Sequence, residues 1–115
     1  MIFVAETEER TLLVFPSEAA AVAACEGLDV EAGVWRFWSE DGAPLEPIFT
    51  APNKPGLFTV GNGTYHLLPV DELHHARLEE AVEGIVNFAC DPPLHNAVGV
   101  KAHLSAVRAG STPLP

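Results

Sequence analysis

The stretch DVEAGVWRFWSEDGAPLEPIFTAPNKPGLFTVGNGTYHLLP, residues 29–69, decides the fold. It holds both tryptophans, the single tyrosine and three of the six phenylalanines. Three turn signals, Glu40-Asp41-Gly42, Pro52-Asn53-Lys54-Pro55-Gly56 and Gly61-Asn62-Gly63, divide it into four runs rich in aromatic and β-branched residues. Side chains of those types favour a pleated, half-buried backbone, and the turn residues reverse it, so the stretch reads as an antiparallel meander. In Val34-Trp35-Arg36-Phe37-Trp38 the alternation of a strand sets Trp35 and Phe37 on one face and Arg36 and Trp38 on the other. The first face reads as core, which leaves Trp38 over the other side or at a rim. Pro44 and Pro47 mark the run 45–50 as short, bulged or at an edge, because proline has no N–H for a ladder. The runs 56–60 and 64–68 bracket Gly61-Asn62-Gly63, residues that tolerate positive φ and suit a hairpin.

Toward the N-terminus, the apolar runs 2–5 and 12–15 enclose the charged residues 6–10 and predict a hairpin. Ser17 is placed as a helix N-cap with Glu18 in the first turn, and the alanine-rich SEAAAVAACEG predicts a helix that ends at Gly27. Toward the C-terminus the period changes. Leu78, Ala81, Val82, Ile85, Val86 and Ala89 follow helical spacing, with Asp71 as N-cap and Asp91-Pro92-Pro93 as the stop. A second helix is expected over 94–109 on the stripe Ala97, Val100, Leu104, Val107, although Gly99 costs it about 1 kcal/mol relative to alanine. The order β-β-α-β-β-β-β-α-α predicts an α+β fold, a mainly antiparallel sheet covered by helices on one side. It forms one domain over 1–109, with a loose tail at 110–115.

Composition narrows the function. Of the 115 residues, 48% are apolar, enough for one self-sufficient core. No run approaches the roughly 18 apolar residues of a membrane span, and acids follow the N-terminus where an export signal needs a basic flank, so the cytoplasm is expected. Cys25 and Cys90 are then expected to stay reduced. Sixteen Asp and Glu against six Lys and Arg give a net charge of −10, which disfavours a nucleic-acid partner and favours a basic protein. The same charge serves solubility on its own. Residues 1–57 carry ten acids and three bases, seven negative charges in excess, while the remainder carries six acids, three bases and all five histidines.

No pattern declares catalysis. His74 and His75 are adjacent, so they do not face one ligand, and with His66 they lack the spacing of a zinc site; no metal or cofactor is expected. Cys90, with Asp91 beside it and His95 and His103 downstream, supplies the residue types of a nucleophilic site, but a neighbouring carboxylate raises a thiol's pKa. The glycines of Gly61-Asn62-Gly63 sit in a hairpin with no helix behind them to cradle phosphate.

The acidic single-domain α+β plan, with GVWRFWSEDGAPLEPIF and NGTYHLLP, resembles the small bacterial immunity proteins of toxin and immunity pairs, especially those of contact-dependent inhibition. That resemblance implies a noncatalytic, stoichiometric inhibitor whose acidic surface blocks the basic cleft of a toxin domain such as a nuclease. Glu31, Glu40, Asp41 and Glu46 are the expected partner-binding charges, with Trp38 as anchor. The alternative is a small-ligand domain with a pocket between sheet and helices, lined by Trp35, Tyr65 and His66.

Overall fold

In the computed structural model, which describes residues 1–51, 63–73 and 75–110, strand β1 (Ile2–Glu6) is the hub of the sheet. It pairs antiparallel with β2 (Thr11–Phe15) on one side and with β3 (Trp35–Trp38) on the other. Beyond β3 lies β4 (Pro44–Ala51), then β5 (Thr64–Pro69), both antiparallel. Beyond β2 lies the two-residue β6 (Asn87–Phe88), which runs parallel to it. The six-stranded order is β5-β4-β3-β1-β2-β6. The α+β class and the antiparallel dominance follow the sequence expectation. Among the described residues no helix is long and apolar enough to cross a membrane.

Covering the sheet is where structure and expectation part. Helices lie on both faces, because strand alternation buries large side chains on both. Phe3, Ala5, Leu12 and Trp38 share one core with Leu78 and Val82 from the segment after β5 and with Val100 and Leu104 from α4 (Ala97–Arg108). Val4, Phe37, Tyr65 and Leu67 share a second core with Ala21 and Cys25 from the segment after β2, and with Val30. The alternation Trp35/Phe37 against Arg36/Trp38 is as read, but Trp38 is no rim residue: it is 1% exposed and its indole N–H donates to the Ala76 carbonyl at 2.9 Å. β4 is eight residues long and lies inside the sheet, with the expected irregularity between Phe49 and Ala51. The expected run 56–60 and its hairpin, apart from Gly63, fall outside the described residues, as do His74 and the tail 111–115.

Three helix boundaries move for identifiable reasons. Ser17 caps α1 (Glu18–Ala24) as expected, its hydroxyl accepting from the Ala20 N–H at 3.1 Å. The helix breaks at Cys25, whose carbonyl is taken by the Tyr65 hydroxyl at 2.7 Å, and Gly27 opens a second short helix, α2 (Gly27–Glu31). The expected helix from Leu78 is only α3 (Leu78–Ala81), followed by a 3-10 turn, Val82–Gly84. Asp71 does not cap it; its carboxylate accepts from the Leu73 N–H at 2.8 Å. The chain leaves the helix because the free edge of β2 offers carbonyls: Val86 and Asn87 donate to Arg10 at 2.9 and 3.2 Å, and Ala89 donates to Leu12 at 2.9 Å. Val86, expected inside, is therefore 62% exposed. α4 starts at Ala97, with the Asn96 side chain accepting from the Gly99 N–H at 2.8 Å, and buries Val100 and Leu104 of the expected stripe.

Gly99, a weakness on helix propensity alone, is there for a close approach. A Cβ at this position would overlap the Pro93 carbonyl, whose carbon lies 2.8 Å from it, whereas a Cβ at Gly84 meets nothing within 4 Å. Gly99→Ala is expected to destabilise by about 1–3 kcal/mol in urea unfolding, the cost of overpacking, despite alanine's better helix propensity. Gly84→Ala should shift the midpoint little, and equal effects of the two would contradict the packing seen here.

Candidate functional site

The expected partner-binding residues do not form one surface. Glu40 and Asp41 sit together in the β3–β4 turn, both exposed. Gly42 gives that turn its reversal at φ +86°, and the Ser39 N–H donates to the Ala43 carbonyl at 2.9 Å. Glu46 is half-buried on β4, on the sheet face that carries Pro44 and Trp38. Glu31 ends α2, which packs on the opposite face. Trp38 lies inside the core and cannot serve as an exposed anchor.

The turn at Asp41 is built as a structural lock. Its carboxylate accepts from the Ser39 hydroxyl and, at 3.1 Å, from the Ala43 N–H. Its backbone carbonyl accepts from Arg77 Nη2 at 2.8 Å and from Arg108 Nε at 3.3 Å. Next to it the Leu78 N–H donates to the Gly42 carbonyl at 3.0 Å, so this turn holds the start of α3 and the end of α4 against the sheet. Arg77 also pairs with Glu72 and with Glu79 at 3.2 Å, and Arg108 pairs with Glu79. His103, nine-tenths buried, meets Phe3 edge-on at 5.9 Å and places Nε2 4.0 Å from Glu40. The Ser39 hydroxyl, then the Ala43 N–H and the nearby Arg77 charge, hold the Asp41 carboxyl below its ordinary pKa of 3.8 against the opposing effect of burial.

The second layer differs in charge. Among residues 11–35 there are four acids, Glu18, Glu26, Asp29 and Glu31, and no Lys or Arg, so α1 and α2 carry acid without a base of their own. Glu26, Asp29 and Glu31 are exposed. Glu18 reaches across to β5 and accepts from the Leu67 N–H at 2.7 Å. On the α3–α4 side, by contrast, Arg77, Arg108 and Lys101 are set against Glu72, Glu79 and Glu83. Glu26 and Asp29 of this layer were not singled out in the sequence, although the base-free run 11–35 was there to be read.

The alternative pocket of Trp35, Tyr65 and His66 is not assembled. Tyr65 is buried in the second core against Phe37 and Phe49, with ring centroids at 6.2 and 5.4 Å, and Trp35 packs at the edge of that core. His66, next along β5, is exposed; it and Tyr65 border a shallow groove with Glu18, Ala19 and Val22 that does not include Trp35.

The thiols are poorly suited to nucleophilic work. Cys25 lies in the second core, and burial followed by the nearby Asp29 charge pushes its pKa up to about 11. Cys90 packs on the first core, across the sheet from Cys25; burial, then Asp91, raises its pKa, and its thiol donates to the Leu12 carbonyl at 3.4 Å. His95 borders Asn96 and His103 borders Phe3 and Glu40, so neither histidine is placed on Cys90. Among the described residues no three metal-ligating side chains converge. No family model, curated protein or solved structure matches the chain.

The Asp41 lock makes a pH prediction. A carboxyl whose folded pKa lies below its unfolded value stabilises the fold above the unfolded pKa, and that stability is lost as pH falls through the folded pKa. Asp41→Asn is therefore expected to lower the urea midpoint at pH 7 and to converge on the wild type as pH falls below 3.8 and through the folded pKa. Parallel stability curves over that range would remove Asp41 from the lock.

Proposed function

We propose that this chain is a noncatalytic cytoplasmic interaction protein, a stoichiometric inhibitor of the immunity-protein kind, that covers the basic cleft of a toxin domain such as a nuclease. The observation that carries the reading is the placement of charge. With a net charge of −10, the chain sets its Arg77, Arg108 and Lys101 against acids on the α3–α4 layer and leaves the α1–α2 layer with Glu18, Glu26, Asp29 and Glu31 and no base. A cleft that binds a phosphate backbone must be rich in Lys and Arg, so it is complementary to such a layer. Complementary fields speed encounter and reject wrong partners more than they add raw affinity.

Of the charges first singled out, Glu31 belongs to this layer, and Glu26 and Asp29 join it. Glu40 and Asp41 stand beside Arg77 and Arg108, which offsets their field. The contact surface is therefore assigned to α1 and α2 and not to the β3–β4 turn.

The test uses the full chain and, as partner, the separately produced basic domain encoded by the adjacent reading frame. Stopped-flow mixing at low salt should give fast 1:1 association that slows as salt is added. A variant carrying Glu26→Gln, Asp29→Asn and Glu31→Gln should associate about tenfold more slowly, with a flatter salt dependence. Failure to form a 1:1 complex, or an unchanged rate in the variant, overturns the reading.

A further inference from the structure

On the Trp38 face, between the ends of β1 and β3 and the α3–3-10 segment, lies a groove of about 220 Å³. Its apolar wall is Ala5, Trp38, Ala81 and Ile85, and its polar rim includes Thr7, Arg10 and Arg36. The two arginines stand out among the bases of the described residues. Arg77, Lys101 and Arg108 are engaged with acids, whereas Arg10 and Arg36 have no ion-pair partner among the described residues. Both are exposed, both line the same groove, and Arg36 lies over the Trp38 ring at 5.1 Å from its centroid. Glu6 also borders the groove, but its two carboxylate oxygens accept from the Glu8 and Glu9 N–H groups at 3.0 and 2.6 Å, which turns its charge toward its own hairpin. Arg10 is itself fixed in place: its backbone sits at φ 55° and its carbonyl accepts from Val86 and Asn87.

The geometry points to a binding site for the carboxylate end of a small apolar-bodied acid, held by Arg10 and Arg36 with its body on the Trp38–Ile85 wall. Guanidinium groups meet carboxylates through paired, charge-assisted hydrogen bonds, which fixes the polar end. The net charge of −10 repels a bare anion from solution, so a ligand must also gain from burying an apolar body, which the wall supplies. The volume is below the roughly 300 Å³ at which drug-sized pockets begin, so the occupant is one residue-sized unit: a free small acid or the C-terminal residue of a peptide. This site is independent of the acidic α1–α2 layer and stands or falls without it.

The probes are N-acetyl-leucine, N-acetyl-glycyl-alanyl-leucine with a free carboxylate, and the same peptide as its C-terminal amide, titrated into the full chain with tryptophan fluorescence and calorimetry as readouts. Both acids are expected to saturate the protein with Kd of about a millimolar or tighter, and the amide to bind at least about tenfold more weakly. Tighter binding of the peptide acid than of N-acetyl-leucine identifies a chain terminus as the source; equal binding identifies a free acid. Arg36→Gln and Arg10→Gln should each weaken the acids about tenfold. Gly84 borders the groove and a Cβ there meets open space, so Gly84→Leu should plug the groove while the chain stays folded by circular dichroism. That variant carries the test if an arginine variant does not fold, and Lys101→Gln, away from the groove, should bind as the wild type does. Absence of saturable acid binding, equal binding of acid and amide, or wild-type binding by Gly84→Leu overturns the proposal.

Discussion

The rest of this structure depends on the burial of two adjacent residues, Phe37 and Trp38, on opposite faces of one strand. At 2% and 1% exposure neither can be satisfied by a sheet with a solvated side. Truncating a buried Phe or Trp to alanine costs about 3–5 kcal/mol. Set against a typical total stability of about 5–15 kcal/mol, leaving either one uncovered is not tolerated. The chain therefore needs a layer on each face and supplies them from different ends: α1 and α2 precede β3, and α3 and α4 follow β5. Trp38 adds direction to its layer, since the indole N–H must find an acceptor in the interior and takes the Ala76 carbonyl just ahead of α3.

That division also separates the charges. The layer on the Trp38 side is joined to the sheet by a polar lock, where Arg77 and Arg108 converge on the Asp41 carbonyl and pair with Glu79, so its bases are spent on structure. The layer on the Phe37 side is joined by small apolar side chains, Ala21, Cys25 and Val30, and by polar ties that include Tyr65 to Cys25 and Glu18 to Leu67. It contains no Lys or Arg of its own. A strongly acidic outer face is thus compatible with its packing, which is why a binding role placed there costs the fold nothing that can be identified.

Much of the fold was legible because local signals agreed with it: the N-terminal hairpin, the Ser17 cap, the Asp41-Gly42 turn and the α4 stripe all stand where periodicity put them. The misses share one cause, capture of backbone groups by distant partners. Helical spacing continues through Val86 and Ala89, but the carbonyls of Arg10 and Leu12 draw that segment into the sheet edge. The alanine-rich helix stops short of Gly27 where Cys25 turns to extended backbone, φ −104° and ψ 102°, with its carbonyl held by the distant Tyr65 hydroxyl. Neither event leaves a trace in a local window. The site was less legible. Exposed acids look alike in sequence whether they lie on a helix, as Asp29 does, or hold a lock in a turn, as Asp41 does. A one-sided sheet leaves Trp38 free to anchor a partner, whereas the cores on both faces place it in the first of them.

Whether the α1–α2 layer, with four acids and no base, attracts a cation more than the opposite layer, where Arg77, Lys101 and Arg108 pair with acids, can be read directly from amide chemical-shift perturbations as a lysine hexapeptide is titrated into the labelled full chain at low ionic strength. The expected result is a set of shifts concentrated in α1, α2 and the residues joining them, with the β3–β4 turn and α3–α4 largely unmoved, and their loss on adding salt. Perturbations spread evenly over the surface, or centred on Glu40 and Asp41, would contradict it.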